Sequence, residues 1–209
     1  MKKNLFQGDS ITDCGRGTGM GVGYPYLVKG ALGTEFPNEY EFINRGVSGN
    51  RIVDLYARIK IDFTNLKPDY ASIYIGVNDV WHEIANQNGV DTEKFEKIYT
   101  MLLDEIYEAL PDIKLIIISP FVVEGSATKN IEEIPDRLER FQKGVEEKAE
   151  VCKRIAEKYN LPLIELQPVF DEALKSAPAD YWTNDGVHPS VYGHELIKKL
   201  WLETFEKIK

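Results

Sequence analysis

Short apolar runs alternate along the whole chain with longer segments in which apolar residues recur every three or four positions. The apolar runs predict five strands, at about 3–8, 40–45, 70–75, 113–119 and 161–165. The run "KLIIIS" is apolar at successive positions, which is typical of a central parallel strand because both of its faces are covered. Strands that alternate with helices in this way indicate a parallel sheet with crossover helices.

Three of the longer segments predict amphipathic helices. The first begins after Asp91 or Thr92 and places apolar residues at Phe95, Ile98, Tyr99, Leu102, Leu103 and Ile106. The second runs from about 135 to 158. The third runs from about 190 to 207, and its inward face is predicted to hold Val191, Leu196, Ile197, Leu200, Trp201 and Phe205. The fold class predicted is therefore α/β, a flavodoxin-like three-layer α/β/α sandwich with a five-stranded parallel sheet.

The composition is that of an ordinary globular protein. The chain has 209 residues, 43% of them hydrophobic, with no repeat and no linker, so we expect residues 1–209 to form a single domain. Thirty-four acidic residues against 25 basic ones argue against a nucleic-acid or membrane partner. The start of the chain does not resemble a signal peptide, and Cys14 and Cys152 form no disulfide framework. These features predict a reducing, cytoplasmic setting.

Polar and small residues follow four of the predicted strands. Ser10 follows the first, Gly46 to Asn50 the second, Gly76 to Asp79 the third, and Ser119 with Pro120 the fourth. In an open parallel sheet, ligands bind beyond the carboxyl ends of the strands. We therefore expect these segments to share one rim and to form a site there.

The stretch "NDGVHPS" places Asp185 three residues before His188, and Pro189 favours an extended conformation at His188. In such a turn the carboxylate can accept a hydrogen bond from one imidazole nitrogen and leave the other nitrogen free. This arrangement suits a general base that assists a hydroxyl nucleophile. The alternative is a structural turn with a capping Asp and a structural His.

Ser10 is the candidate nucleophile, because it lies where a strand leads into a helix and its N–H can point outward at the helix start. The alternatives are that Ser10 is only a helix cap, or that the nearby Cys14 is the nucleophile. Acyl transfer also needs donors to the oxyanion. Gly49 offers a backbone amide that lacks a neighbouring Cβ, and Asn78 offers a side-chain amide, although Gly and Asn are also common in turns.

Two other classes of protein fit the sequence less well than a hydrolase does. A metal-dependent phosphoesterase would need more ligands than the three histidines allow, and His82 opens only half of a zinc-helix motif in "HEIAN". A nucleotide-binding module would need a G-x-G-x-x-G or P-loop pattern, and the glycines of "GRGTGMGVG" fit neither. We therefore predict no metal and no cofactor.

Four sequence blocks, taken in order, resemble those of the SGNH (GDSL) hydrolases: "GDSIT", the Gly of "SGN", "GVND" and "DGVH". Longer strings, among them "GVSGNRIVDL", "SPFVVEG" and "GVHPSVYGH", are similar to those of bacterial intracellular acetylxylan and xylo-oligosaccharide acetylesterases. The resemblance implies Ser10 as nucleophile, His188 as base and Asp185 as its orienting carboxylate. It also implies an oxyanion hole made by the Ser10 amide, the Gly49 amide and the Asn78 side chain.

The substrate implied by the resemblance is a small acylated sugar. Members of this subgroup are commonly multimeric, so the resemblance is also compatible with a homo-oligomer. Trp81 is a candidate wall of a small acyl pocket. Other candidates for contact with a sugar are Tyr24, Tyr26, Tyr181 and Trp182 by their rings, and Asp13, Arg16 and Glu124 by their polar groups. A thioesterase or lysophospholipase with the same triad is the alternative, and it would need an apolar channel for an acyl chain.

Overall fold

The computed structural model describes residues 1–209 and contains one five-stranded sheet in which every pair of neighbouring strands is parallel. The strand order is β2-β1-β3-β4-β5. The strands are β1 Lys2–Gly8, β2 Tyr40–Gly46, β3 Tyr70–Tyr74, β4 Lys114–Ile118 and β5 Leu163–Ile164. All five predicted strands are confirmed, with ends that differ by one or two residues.

Ten α-helices and one 3₁₀ turn, at Thr64–Leu66, connect and follow the strands. The helices are α1 Ser10–Asp13, α2 Tyr24–Glu35, α3 Ile52–Ala57, α4 Ile59–Asp62, α5 Val77–Asn86, α6 Thr92–Ala109, α7 Arg137–Tyr159, α8 Gln167–Ala173, α9 Ala179–Trp182 and α10 Val191–Phe205. None of the helices is long and apolar enough to cross a membrane.

Alternate residues of the strands enter two separate hydrophobic cores, one on each face of the sheet. Along β3, Tyr70 and Tyr74 belong to the core of 24 buried residues that includes residues of α2 and α10. Ala71 and Ile73 belong to the core of 21 buried residues that includes residues of α3 and α6. Helices on both faces confirm the predicted three-layer α/β/α sandwich.

Capping side chains determine where two of the predicted helices begin. The Asp91 carboxylate accepts the Lys94 N–H at 2.8 Å at the start of α6. The Ser190 hydroxyl accepts the N–H of Tyr192 at 3.2 Å at the start of α10. The prediction that Val191 faces inward is wrong, because Val191 is the first residue after this cap and its side chain is 58% exposed.

The carboxyl ends of β2, β1 and β3 lie level with one another. Gly8 of β1 pairs with Gly46 of β2 on one side and with Tyr74 of β3 on the other. The segments that follow these three residues therefore leave the sheet side by side at one rim, which is the rim predicted to hold the site.

Candidate active site

Ser10 lies at the junction between β1 and the four-residue helix α1. The N-cap of α1 is Asp9, whose carboxylate accepts the Ile11 N–H at 3.0 Å, so the alternative that Ser10 itself is the cap is wrong. As the first residue of the helix, Ser10 has an N–H with no partner inside the helix. Gly8 is required before it, because a Cβ there would collide with the Tyr74 carbonyl and the Thr12 hydroxyl.

Asp185 and His188 lie on a turn between α9 and α10 that contains no named strand. One carboxylate oxygen of Asp185 accepts the N–H groups of Val187 at 2.9 Å and of His188 at 2.8 Å. The other oxygen lies 2.7 Å from Nδ1 of His188. Gly186 has a φ of +99°, a conformation that favours glycine, and it places the two side chains on the same side of the turn.

The two segments meet at the rim although 178 positions separate them in the sequence. The Ser10 Oγ lies 2.9 Å from Nε2 of His188. Because an ionised carboxylate only accepts hydrogen bonds, we assign the imidazole proton to Nδ1, which leaves Nε2 free to accept the Ser10 hydroxyl. Ser10, His188 and Asp185 thus form a continuous hydrogen-bonded chain.

The electrostatics of these three hydrogen-bonded residues favour a basic imidazole at His188. Burial alone would raise the pKa of Asp185, but the hydrogen bonds from the His188 side chain and two backbone N–H groups hold it below its usual value. The hydrogen bond to Asp185 raises the pKa of His188 above its ordinary value, against the opposing effect of burial. Burial also raises the pKa of Asp9 to about 7.

Gly49 and Asn78 reach the same rim from β2 and β3. Gly49 has a φ of +81°, and its N–H donates to no group of the chain. Asn78 lies in the first turn of α5, and its side-chain amide donates one hydrogen bond, at 3.1 Å, to the Asn50 carbonyl. The second amide hydrogen of Asn78 stays available to a ligand.

Two carboxylates hold these loops together through backbone amides. The buried Asp79 accepts the Ile52 N–H at 3.1 Å, which joins the start of α5 to the start of α3. Asp13 accepts the N–H of Ser48 at 3.2 Å and its hydroxyl at 2.7 Å. Asp9, by contrast, accepts only the Ile11 N–H within its own helix start. Asp13, expected to contact a sugar, instead holds the residue before Gly49.

The predicted sugar-contact residues lie in very different surroundings. Tyr24 is fully buried, with its hydroxyl 3.3 Å from that of Thr12, so the prediction that its ring faces a sugar is wrong. Tyr26 is 54% exposed, and Trp182 is half-buried. Arg16 donates from Nε to the Gly46 carbonyl, which makes it another support of the loop after β2.

Trp81 is the aromatic residue that the structure brings next to the imidazole. It lies one turn after Asn78 on α5, and its ring centroid is 5.9 Å from that of His188. Its ring also packs edge to face against Phe141 of α7, at 5.8 Å. Trp81 therefore lies beside His188, in a position fixed by Phe141.

The remaining histidines and Cys14 lie outside the hydrogen-bonded chain. His194 is buried, accepts the Tyr24 N–H at 3.1 Å through Nδ1, and lies with Nε2 3.6 Å from the Cys14 sulfur. Burial lowers the pKa of His194 to about 4, so this imidazole is neutral and its Nε2–H faces the thiol. Such a histidine cannot take the thiol proton. No group of three or more His, Cys, Asp or Glu residues is arranged to hold a metal ion.

Arg58 is a site residue that the sequence reasoning missed, and Asn50 was predicted only as the end of the segment that follows β2. Arg58 donates to Asn50, to Gly8 and to Arg45, all of which border the rim. In the sequence Arg58 has only an ordinary i,i+4 spacing to Asp62, which is typical of a surface ion pair. Nothing in that spacing indicates contacts with three other segments.

The sequence and the fold are similar to those of known hydrolases. Residues 6–196 match the GDSL-like Lipase/Acylhydrolase family. An acetylxylan esterase from Geobacillus stearothermophilus is 36% identical over 215 residues, which cover 96% of this chain and 92% of that protein. The crystal structure of a catalytic mutant of Axe2, an acetylxylan esterase from the same organism, has a TM-score of 0.84 at 32% identity and covers 97% of this chain and 93% of its own. LAE5, an alpha/beta hydrolase enzyme from the metagenome of Lake Arreo, has a TM-score of 0.85 at 28% identity, with 100% and 96% of the two chains covered.

Proposed function

We propose, from the premise that this chain belongs to the GDSL-like lipase/acylhydrolase family, that it removes acetyl groups from xylo-oligosaccharides or related glycans. Family membership and the 36% identity to an acetylxylan esterase make the chain a carboxylic ester hydrolase that acts on acetyl esters. The proposal adds the sugar and the residues that perform the reaction. The observation that carries it is the hydrogen-bonded chain from Ser10 through His188 to Asp185.

In the first half of the reaction, the Ser10 Oγ attacks the ester carbonyl carbon while Nε2 of His188 takes the hydroxyl proton. Asp185 accepts the Nδ1 hydrogen bond throughout and stabilises the imidazolium that forms. The 2.9 Å between Oγ and Nε2 is already the hydrogen-bond distance that this proton transfer requires.

The negative charge that develops on the carbonyl oxygen needs donors that are already in place. We assign this role to the N–H of Ser10, the N–H of Gly49 and the free amide hydrogen of Asn78. The three residues lie at the ends of three neighbouring strands, and the Asn50 carbonyl orients the Asn78 amide. Little rearrangement is then needed at the moment of reaction.

The second half of the reaction uses the same groups in reverse roles. The imidazolium gives its proton to the sugar alkoxide, which leaves, and His188 then activates a water molecule. Attack of this water on the acyl-serine releases acetate and restores the Ser10 hydroxyl.

The preference for a small acyl group is assigned to Trp81. Its ring lies beside His188 and is held by the buried Phe141, so it limits the space available next to the reacting carbonyl. Replacing Trp81 by alanine should enlarge this space and raise the rate on butyryl esters relative to acetyl esters.

Acetylated xylo-oligosaccharides are the test substrate, with acetate release followed by position on the sugar, and with acetyl and octanoyl esters of one alcohol compared in parallel. We expect acetate release, a strong preference for the acetyl ester, inhibition by a serine-directed reagent and no effect of a chelator. Faster turnover of the octanoyl ester would identify a lipase or thioesterase type of acyl hydrolase instead. Release of acetate from simple esters but not from the oligosaccharides would contradict the sugar assignment alone.

A further inference from the structure

Arg58 lies at the junction between α3 and α4, and its guanidinium donates hydrogen bonds to four groups. Nε donates to the side-chain oxygen of Asn50 at 2.7 Å, and Nη2 donates to the Gly8 carbonyl at 3.2 Å. Nη1 donates to the Arg45 carbonyl at 2.9 Å and to the Asp62 carboxylate at 3.1 Å. The side chain is only 15% exposed, so these are shielded hydrogen bonds from a charged donor.

Three of these four acceptors border the proposed oxyanion site. Gly8 is the last residue of β1, two positions before Ser10, and its carbonyl also accepts the Val47 N–H at 3.0 Å. Arg45 is the second-to-last residue of β2, and Asn50 immediately follows Gly49. The planar guanidinium of Arg58 therefore sets the distance between the segments that carry the Ser10 and Gly49 amides.

Asn50 links Arg58 to Asn78, the third proposed oxyanion donor. Its side chain accepts from Arg58, while its backbone carbonyl accepts the Asn78 side-chain amide at 3.1 Å. Any shift of Asn50 would therefore turn or release the amide of Asn78. The hydrogen bonds of Arg58 thus reach the Ser10 segment through Gly8, and the other two proposed donors through Asn50. This requires no contact between Arg58 and the substrate.

A lysine at this position could not make the same contacts. The guanidinium presents five N–H groups in a rigid plane, whereas an ammonium is a single point donor on a flexible stem. The charge of Arg58 is already paired, because the Asp62 carboxylate is 3.1 Å from Nη1. The geometry of the fork, rather than its charge, is what the four acceptors require.

We propose that Arg58 is a positioning residue of the ester hydrolysis, which sets the relative placement of the Ser10, Gly49 and Asn78 donors through Gly8, Arg45 and Asn50. This inference rests on the proposed function, because it takes those three groups as the oxyanion donors. Since the oxyanion exists only in the transition state and the intermediates, Arg58 should affect kcat far more than KM.

The test compares Arg58→Lys, Asn50→Ala and the double variant with the unsubstituted protein, by kcat and KM on an acetyl ester and by thermal unfolding. We expect Arg58→Lys to lower kcat by about 10- to 100-fold, as misplacement of catalytic groups by about 1 Å does, with KM within about two-fold. We expect Asn50→Ala to lower kcat by about 10-fold, and the double variant to be no slower than Arg58→Lys, because both changes break one chain of hydrogen bonds.

Arg154→Lys is the matched control, because Arg154 also makes a forked contact, with Glu96, but on an exposed surface of α7. Its kcat should stay unchanged. Folded Arg58→Lys with unchanged kcat, or multiplicative effects in the double variant, would overturn the inference. If Arg58→Lys does not fold, unchanged kcat in folded Asn50→Ala would overturn it. Ser10→Ala separates the two proposals. Full activity of Ser10→Ala would overturn the proposed function itself. If Ser10→Ala is inactive but Arg58→Lys keeps the kcat of the unsubstituted protein, only the positioning role is overturned.

Discussion

Ser10, Gly49 and Asn78, which we call the strand-end half of the site, follow the ends of three neighbouring strands, whereas Asp185 and His188, the turn half, lie on a segment with no strand. Strand register sets the first half, because Gly8 pairs with both Gly46 and Tyr74. Local hydrogen bonds set the second half. These include the N–H groups that Asp185 accepts within its own turn.

The turn half is also held by close contact with a neighbouring loop. The Gly186 carbonyl accepts the Val123 N–H at 3.0 Å, and the Asp185 carbonyl accepts the Ala127 N–H at 2.9 Å. No buried strand supports this contact, so a small change of backbone shape there should move the imidazole. The two halves should therefore respond differently to substitution. Changes in the strand-end half should remove hydrogen-bond donors to the oxyanion, whereas changes in the turn half should displace the imidazole.

The largest expected effect comes from breaking the contact that joins the two halves. Ser10→Ala and His188→Ala should each lower kcat by about 10⁴-fold or more, and the double variant should be little worse, because the two groups act as one unit. Acyl-enzyme accumulation and steady-state rates on an acetyl ester measure this. Substantial turnover by pure Ser10→Ala would exclude the assigned nucleophile.

The next effect is confined to the strand-end half. Asn78→Ala removes one oxyanion donor and should lower kcat by about 10²–10³-fold while KM changes little. The pH dependence should stay the same, because His188 and Asp185 are untouched. A proportional rise in KM with unchanged kcat would show that Asn78 binds the ground state instead.

A backbone change should disrupt the turn half. A Cβ added in Gly186→Ala would lie 2.6 Å from the Val123 carbonyl oxygen, at a φ of +99°. We expect a free energy of unfolding lower by about 2 kcal/mol or more, and a reduced kcat, because the turn must shift. Gly33→Ala on α2 is the control, since a Cβ there meets no atom within 4 Å, and it should be neutral or stabilising by up to about 1 kcal/mol. Equal unfolding free energies and rates for both variants would contradict the close packing of this turn.

The smallest effect is a displacement of the pH profile. His188 must be neutral to take the Ser10 proton, and Asp185 raises its pKa above the ordinary histidine value. The value of kcat/KM on an uncharged ester should therefore fall as the pH drops through a pKa above about 6.5. An acid limb with a pKa below that value would indicate that the Asp185 hydrogen bond does not govern the imidazole.

The outline of the fold could be read from the sequence because it depends on periodicity, which is local. The five apolar runs and the periodic segment after Asp91 predict five strands and a helix close to those observed. Errors arose where one residue's environment depended on distant elements. Tyr24, expected at the rim, is buried against β1, β3 and α10, where its ring meets those of Phe6, Tyr74 and His194.

By itself, the sequence determined that the chain forms a parallel α/β sheet with chemically distinctive residues after its strands, because apolar period and residue type are properties of neighbouring positions. Only the tertiary structure decided that Ser10 Oγ and His188 Nε2 lie 2.9 Å apart, and that Arg58 reaches three segments of the rim. The physical reason is that such contacts join residues from 8 to 178 positions apart, and their geometry is set by sheet register and packing.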